Sequence, residues 1–381
     1  MFTITSLTDE EEQLRDEVRS FLREELDPPG SYRPALGMIA PHDREFSRRL
    51  AARGWLGMNL PTQYGGHDRT AVDRFVVVEE LLAAGAPVGA HWTADRQTAP
   101  TILRFGSEEQ KQQFLPAIAR GDCGFALGFS EPDSGSDLAS VRTRAQQVDG
   151  GWAVTGTKVW TTGAHQHEYM MLLCRTSAVD GDAKHAGLSQ FLVDLSSPGV
   201  KVSPIESLEG ARHFNEVSLE DVFVPDDMVL GNVGDGWRQV TSELAYERAG
   251  PDRYLSTYPL LEFLLRSQQQ VLQDPRTHET VGYLVARFRA LRAMSLSVAR
   301  AIDEGEAPAV QAAVVKDLGT AFEQELLQLV RDLLQEEVIS GTDTIFHSLL
   351  TEAILSGPSF TLRGGTTEVL RGIVARGIGV R

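Results

Sequence analysis

Val148-Asp149-Gly150-Gly151-Trp152-Ala153-Val154-Thr155 reads as the corner of a hairpin: a turn rich in Asp and Gly, then an apolar run placed to pair back on the segment before it. Short runs of the same kind, Met170–Cys174, Phe191–Val193 and Val222–Val224, are separated by turns on its C-terminal side. Several short strands so close together predict an antiparallel sandwich or barrel from about Cys123 to Gly231.

On either side the period changes from two to that of a helix. Thr8 opens a T-D-E-E capping box, and Leu14, Val18, Phe21 and Leu22 follow at helical spacing. Ser107 opens a second box, S-E-E-Q, ahead of Phe114, Leu115 and Ile118, and Gly121 stops that helix. Between them Asn59–Asp68 is rich in turn formers and reads as a loop. Beyond Gly236, helical spacing covers Trp237–Ala249, Tyr258–Val271, Glu279–Ala301, Val310–Glu337 and Phe346–Leu355. Long helices with short connections predict an antiparallel, four-helix-type bundle. The expected fold is therefore α+β in three domains. These are an N-terminal helical domain (1–121), a middle β domain (122–232) and a C-terminal helical bundle (233–381).

Composition sets the outer limits. The 381 residues carry 36 basic and 53 acidic side chains, a formal charge of −17, and 42 % are hydrophobic. That apolar fraction argues against disorder, and an acidic chain is a poor general partner for nucleic acid. No apolar run approaches the roughly 18 residues of a membrane helix. The acidic start, MFTITSLTDEEE, is unlike a signal peptide, and two cysteines make no disulfide framework; both point to a cytoplasmic protein. The charge is uneven. Residues 1–27 hold nine acidic and three basic residues, whereas 363–381 hold four arginines and one glutamate.

No GxGxxG or P-loop is present, nor an HExxH or paired-cysteine metal signature. His165-Gln166-His167 lacks a third ligand at a known spacing and reads as an exposed loop, so no metal is expected. Two other segments carry more. Phe129-Ser130-Glu131-Pro132-Asp133-Ser134-Gly135-Ser136-Asp137 is a strand end followed by a turn dense in hydroxyls and free N–H groups, able to cup a phosphate or a polarised ring edge. Lys158-Val159-Trp160-Thr161-Thr162-Gly163 sets a tryptophan beside hydroxyls at a strand end, where it could stack on a flat cofactor. Taken alone, the first segment reads more readily as an ordinary surface turn and the second as a half-buried core tryptophan.

Together these segments resemble the flavin-binding pair of the acyl-CoA dehydrogenase family, a T/S-E-P-x-x-G-S-D turn followed by K-x-W-x-T. Gly364-Gly365-Thr366-Thr367-Glu368-Val369-Leu370-Arg371 is similar to that family's closing G-T-x-E/Q-x-x-R helix, and Phe223-Val224-Pro225 matches its return to helix. The resemblance implies FAD between the β domain and the C-terminal bundle. Leu127, Phe129 and Ser130 would lie along the ring, and Ser136 near the flavin phosphates or the CoA end. Trp160 and Thr162 would flank the reactive nitrogen, and Thr366 and Glu368 would make the C-terminal flavin contact.

It also implies a base for the α-proton of an acyl thioester. Where many members place it, just before the last Gly-Thr, this chain has Gly364, which cannot act as one. A smaller branch, including isovaleryl- and long-chain-type enzymes, carries the glutamate on the first C-terminal helix before an arginine, and Glu247-Arg248 matches that position. Glu243, one turn earlier, is its rival. The resemblance implies that the Gly364 N–H polarises the thioester carbonyl, with Arg248 and Arg376 as candidates for the CoA side of the cleft.

Three departures leave alternatives open. The family's R-x-x-F-G grip on a neighbouring subunit's FAD is replaced by Leu265-Arg266-Ser267-Gln268-Gln269-Gln270. Its G-G-x-G-Y segment gives way to Gly357-Pro358-Ser359-Phe360. Ala245 or Tyr246 stands where an aspartate often holds the pantetheine. The expected partners are an acyl-CoA, an electron-transferring flavoprotein and copies of the chain in a homodimer or homotetramer. The alternatives are an acyl-carrier-protein thioester, an oxidase on the same scaffold, or a flavin-poor subunit of a heteromeric dehydrogenase.

Overall fold

The computed structural model describes residues 2–26, 34–37, 40–178, 184–267, 273–334 and 345–380; the side chains of residues 243–247 lie outside that description. In chain order the helices are α1 (Asp9–Leu26), α2 (Arg44–Ala52), α3 (Ala71–Ala83), α4 (Ala99–Phe105), α5 (Glu108–Ala119), α6 (Gly236–Glu247), α7 (Tyr258–Ser267), α8 (Pro275–Asp303), α9 (Ala309–Leu334), α10 (Ile345–Ser356) and α11 (Thr367–Gly377). The strands, all between α5 and α6, are β1 (Phe125–Gly128), β2 (Arg144–Val148), β3 (Gly151–Lys158), β4 (Tyr169–Arg175), β5 (Leu188–Asp194), β6 (Val200–Ile205) and β7 (Phe214–Pro225). The helical, β, helical order holds. The stretches expected to be helical beyond Ser267 and Leu334 fall outside the described residues.

Contacts gather the chain into two compact units. The first (His42–Arg69, Val88–Leu244) is built on one seven-stranded sheet of order β1-β4-β2-β3-β7-β6, with β5 also paired to β4. The expected hairpin is there: β2 and β3 run antiparallel from Val148↔Gly151, with Gly150 at φ +73° in the two-residue turn. The expectation of a wholly antiparallel sheet needs correction. β1 lies parallel to β4, with Phe125 opposite Tyr169, and β2 meets β4 in parallel at Arg144↔Arg175. Parallel neighbours need a long crossover, and the segment from Phe129 through the hairpin supplies it. Trp152, Phe191, Val217, Leu219 and Val222 fill one core of this unit. On the other side of the sheet, Phe114, Phe125 and Met171 join Leu115 and Ile118 of α5. The Ser107 box closes reciprocally with Gln110 at 3.1 and 3.2 Å.

The second unit (Met1–Pro41, Thr70–Pro87, Ala245–Arg381) is helical. The Thr8 box forms with Glu11, whose carboxylate also takes a fork from Arg300. α3 carries a third box, Thr70 with Asp73, and its first N–H groups, on Ala71 and Val72, donate to the Asp303 carboxylate at 2.6 and 3.1 Å. Within this unit α1 packs on α3, α3 on α8, α8 on α9, and α9 on α11. Among the described residues no helix is long and apolar enough to cross a membrane.

Candidate functional site

In the sheet unit the two singled-out segments meet. The backbone of Glu131 and Ser134 closes a tight turn with reciprocal bonds of 2.8 and 3.0 Å, and the Ser130 carbonyl accepts the Val159 N–H at 2.9 Å. Below that seam lies a buried ion pair. Lys158 Nζ donates to Glu131 Oε1 at 2.8 Å and to the Phe129 carbonyl at 3.1 Å. The Glu131 carboxylate also accepts the N–H groups of Arg142 at 2.6 Å and Thr143 at 2.8 Å. Burial alone would raise the Glu131 pKa, but Lys158 beside it and those donors outweigh burial and hold it below the usual carboxylate value. The glutamate and lysine of the two motifs thus tie the turn to the end of β3.

Trp160 follows Lys158 by two residues. It is 58 % exposed and its backbone is left-handed, at φ +60°, a region bulky residues rarely enter. Asn215 holds the next residue from both sides: its carbonyl accepts the Thr161 N–H at 3.0 Å, and its Nδ2 donates to the Thr161 carbonyl at 2.8 Å. Phe214 meets the indole edge-on, with centroids 5.8 Å apart. Leu127, Phe129, Ser130 and Thr162 are half-buried nearby in the chain, and Ser136 is exposed. Among the described residues, the Thr161 hydroxyl is buried without a hydrogen-bond partner. An exposed indole fixed by a strained backbone is the kind of surface a flat ring system stacks on, so these residues fit a flavin. His165 is exposed and bonds Asn215 at 2.9 Å, but the expected exposed loop needs correction at His167, which is half-buried against His42 and whose pKa burial lowers to about 3; the described residues contain no metal-binding cluster.

In the helical unit Arg248, Gly364, Thr366 and Glu368 gather at the turn before α11. Gly364 and Gly365 are left-handed, at φ +67° and +104°. Thr366 caps α11, its hydroxyl accepting the Val369 N–H at 3.5 Å. Arg248, 8 % exposed, donates from Nε to the Gly364 carbonyl at 3.2 Å. Glu368 is exposed in the first turn of α11, where its own N–H and the Thr366 hydroxyl lower its pKa. Arg376 is exposed in the last turn. Glu247 is the last residue of α6; its side chain, like that of Glu243, lies outside the described residues.

Behind this turn is a buried polar layer that sequence reasoning missed. Arg253 pairs with Asp252 at 2.9 Å, both fully buried. Arg363 donates to Glu323 at 2.8 Å and to the Ser256 hydroxyl at 2.5 Å. Lys316 Nζ donates to the Gly365 carbonyl at 2.7 Å and the Thr361 carbonyl at 3.2 Å. One signal was available: Lys316 and Glu323 lie seven residues apart on the apolar stripe of α9, where charges are out of place.

Three family models match the chain: "Acyl-CoA dehydrogenase, N-terminal domain" over residues 8–122, "middle domain" over 126–222 and "C-terminal domain" over 259–379. The chain belongs to the acyl-CoA dehydrogenase family. It is an oxidoreductase of that family's fold. It is 34 % identical over 330 residues to acyl-CoA dehydrogenase FadE34 of Mycobacterium tuberculosis, covering 86 % of this chain and 44 % of that protein, so it spans less than half of that relative. It is 33 % identical to FadE29 of the same organism, covering 97 % of this chain and 96 % of the relative. The solved structure "Tcur3481-Tcur3483 steroid ACAD" superposes with a TM-score of 0.88 at 27 % identity, over 99 % of both chains.

Proposed function

We propose that the protein catalyses FAD-dependent α,β-dehydrogenation of an acyl-CoA thioester, with Glu247 as the base. The observation that carries this reading is the exposed, left-handed Trp160 two residues after the lysine of the buried Glu131–Lys158 pair. Leu127, Phe129, Ser130, Ser136, Trp160 and Thr162 from the sheet unit, with Thr366 and Glu368 from the helical unit, are the residues assigned to FAD. When bound, the flavin supplies the acceptor for the hydride of the β carbon. The chain's own work is the proton. The Glu247 carboxylate takes it from the α carbon, and the Gly364 N–H donates to the thioester oxygen as negative charge develops there. Ser136, Arg248 and Arg376 are assigned to the CoA portion. The division at 121/122 and 232/233 is the working description of its domains, and an electron-transferring flavoprotein is the proposed acceptor.

Glu247→Gln tests the assignment. With the flavin loaded, anaerobic bleaching by an acyl-CoA should slow by at least about 10²–10⁴-fold, the contribution of a positioned base. Bleaching at the wild-type rate rules Glu247 out.

A second reading concerns assembly and substrate. The chain lacks the R-x-x-F-G motif at 265–270, and two structures, each 27 % identical, are named "Tcur3481-Tcur3483 steroid ACAD" and "the ChsE4-ChsE5 complex from Mycobacterium tuberculosis". We infer that a second, different subunit completes the FAD site and that a steroid side-chain thioester is the substrate class to try first. Co-expression with a candidate partner followed by flavin-content measurement separates this from a homodimer or homotetramer. Matched CoA and carrier-protein thioesters separate the two carriers.

A further inference from the structure

Gly364 and Gly365 stand where an acyl-CoA dehydrogenase needs backbone donors, yet two left-handed glycines in sequence have little stiffness of their own. Their carbonyls are held from outside. Arg248 donates to that of Gly364 at 3.2 Å and Lys316 to that of Gly365 at 2.7 Å. In a planar trans peptide the N–H points opposite the C=O. Fixing these two carbonyls therefore turns the N–H groups of Gly365 and Thr366 away from the cations. Among the described residues, the N–H groups of Gly364 and Thr366 make no hydrogen bond.

The charge behind the turn is unbalanced. Arg253 is matched by Asp252 and Arg363 by Glu323. Lys316 is fully buried, and among the described residues it bonds carbonyls and makes no ion pair with a carboxylate. We propose that Lys316 is a positioning residue for the acyl carbonyl. It aims the Thr366 N–H, as Arg248 aims that of Gly365, beside the Gly364 N–H assigned to the thioester oxygen, and it places an unneutralised cation behind them. This rests on the acyl-CoA reading above. A cation at the Gly365 carbonyl polarises that peptide and strengthens the Thr366 N–H as a second donor, beside that of Gly364, to an enolate oxygen.

The groups facing Lys316 are Arg253 from the Pro251–Arg253 turn, Arg363 from the segment before α11, and Glu323 and Asp317 on its own helix. Burial, then Arg253 and Arg363, bring its pKa down to about 7, against the two acids, so its charge changes near neutrality.

The test uses the FAD-loaded protein and acetoacetyl-CoA, whose bound enolate gives a long-wavelength band with oxidised flavin. The pH at which the band appears reports the acidity of the bound ligand. Lys316→Met should move that midpoint up by about one pH unit, a tenfold loss of enolate at fixed pH, and Lys316→Arg should restore most of it. Amide exchange over 361–370 in the ligand-free protein should quicken in Lys316→Met and not in Lys316→Arg. Should Lys316→Met not fold, Lys316→Gln keeps an amide donor, loses the charge and is read by the band midpoint in the same way. A folded variant with wild-type midpoint and exchange overturns the positioning role and leaves the acyl-CoA reading standing. A wild-type flavin that responds to no acyl-CoA overturns that reading, and this one with it.

Discussion

Trp160 stores strain that a glycine would release. At φ +60° an L-residue carries a penalty of about 1–2 kcal/mol. Trp160→Gly should therefore leave the flavin-free protein as stable as the wild type or up to about 1 kcal/mol more so, while anaerobic flavin reduction slows. Denaturant unfolding beside stopped-flow bleaching checks both; unchanged bleaching would mean that the indole does not serve the flavin. The Glu131–Lys158 pair behaves differently, because its ammonium is wholly buried. Glu131→Gln strands that charge and should cost about 3–5 kcal/mol in a urea titration. The sign with pH follows from the lowered Glu131 pKa. The pair's stabilisation is present above the ordinary carboxylate value of 4.5 and fades as pH falls through the folded value below it. The wild type should thus lose more stability than Glu131→Gln between pH 5 and pH 3 (about two units around that value). Neither role was legible from spacing. The motif text marked Glu131, Lys158 and the indole, but only the packed turn shows that the first two form a buried pair.

Elements were legible where a local signal creates them. The Thr8 and Ser107 boxes announce α1 and α5, and the Asp149-Gly150 corner announces the β2–β3 hairpin, because each rests on contacts within a few residues. The partner of β1 was not legible. Alternation says which side of a strand is buried, not which strand lies beside it, so the parallel β1–β4 pairing stayed hidden behind a 40-residue crossover (roughly the span of a βαβ unit). The polar layer around Arg363 and Glu323 escaped for the same reason, since its members come from α9 and from segments far apart in the chain. Gly150 tests the local half of this argument. A Cβ there meets no atom within 4 Å, so Gly150→Ala pays only for φ +73°. It should lower stability by about 1–2 kcal/mol without altering the register, read by denaturant unfolding and by unchanged cross-strand amide protection.

Charge distribution over the whole protein bears on an anionic carrier such as CoA. A formal charge of −17 opposes its approach, yet the segment 363–381 is basic. The structure narrows that basic segment considerably. Arg363 is taken by Glu323 and Arg371 by Asp317, whereas Arg376 is exposed and, among the described residues, makes no ion pair. Screening acts with distance: the Debye length falls from about 10 Å at 0.1 M salt to about 3 Å at 1 M. A distant net charge is already damped at the lower value, so a nearby Arg376 would dominate the remaining dependence. Affinity for an acyl-CoA, followed by flavin absorbance, should therefore fall as salt rises over that range. Arg376→Ala should flatten the fall, and a pantetheine thioester without the nucleotide should show little of it. If affinity rises with salt instead, the repulsion of the whole chain outweighs the tail, and the nucleotide is not held by Arg376.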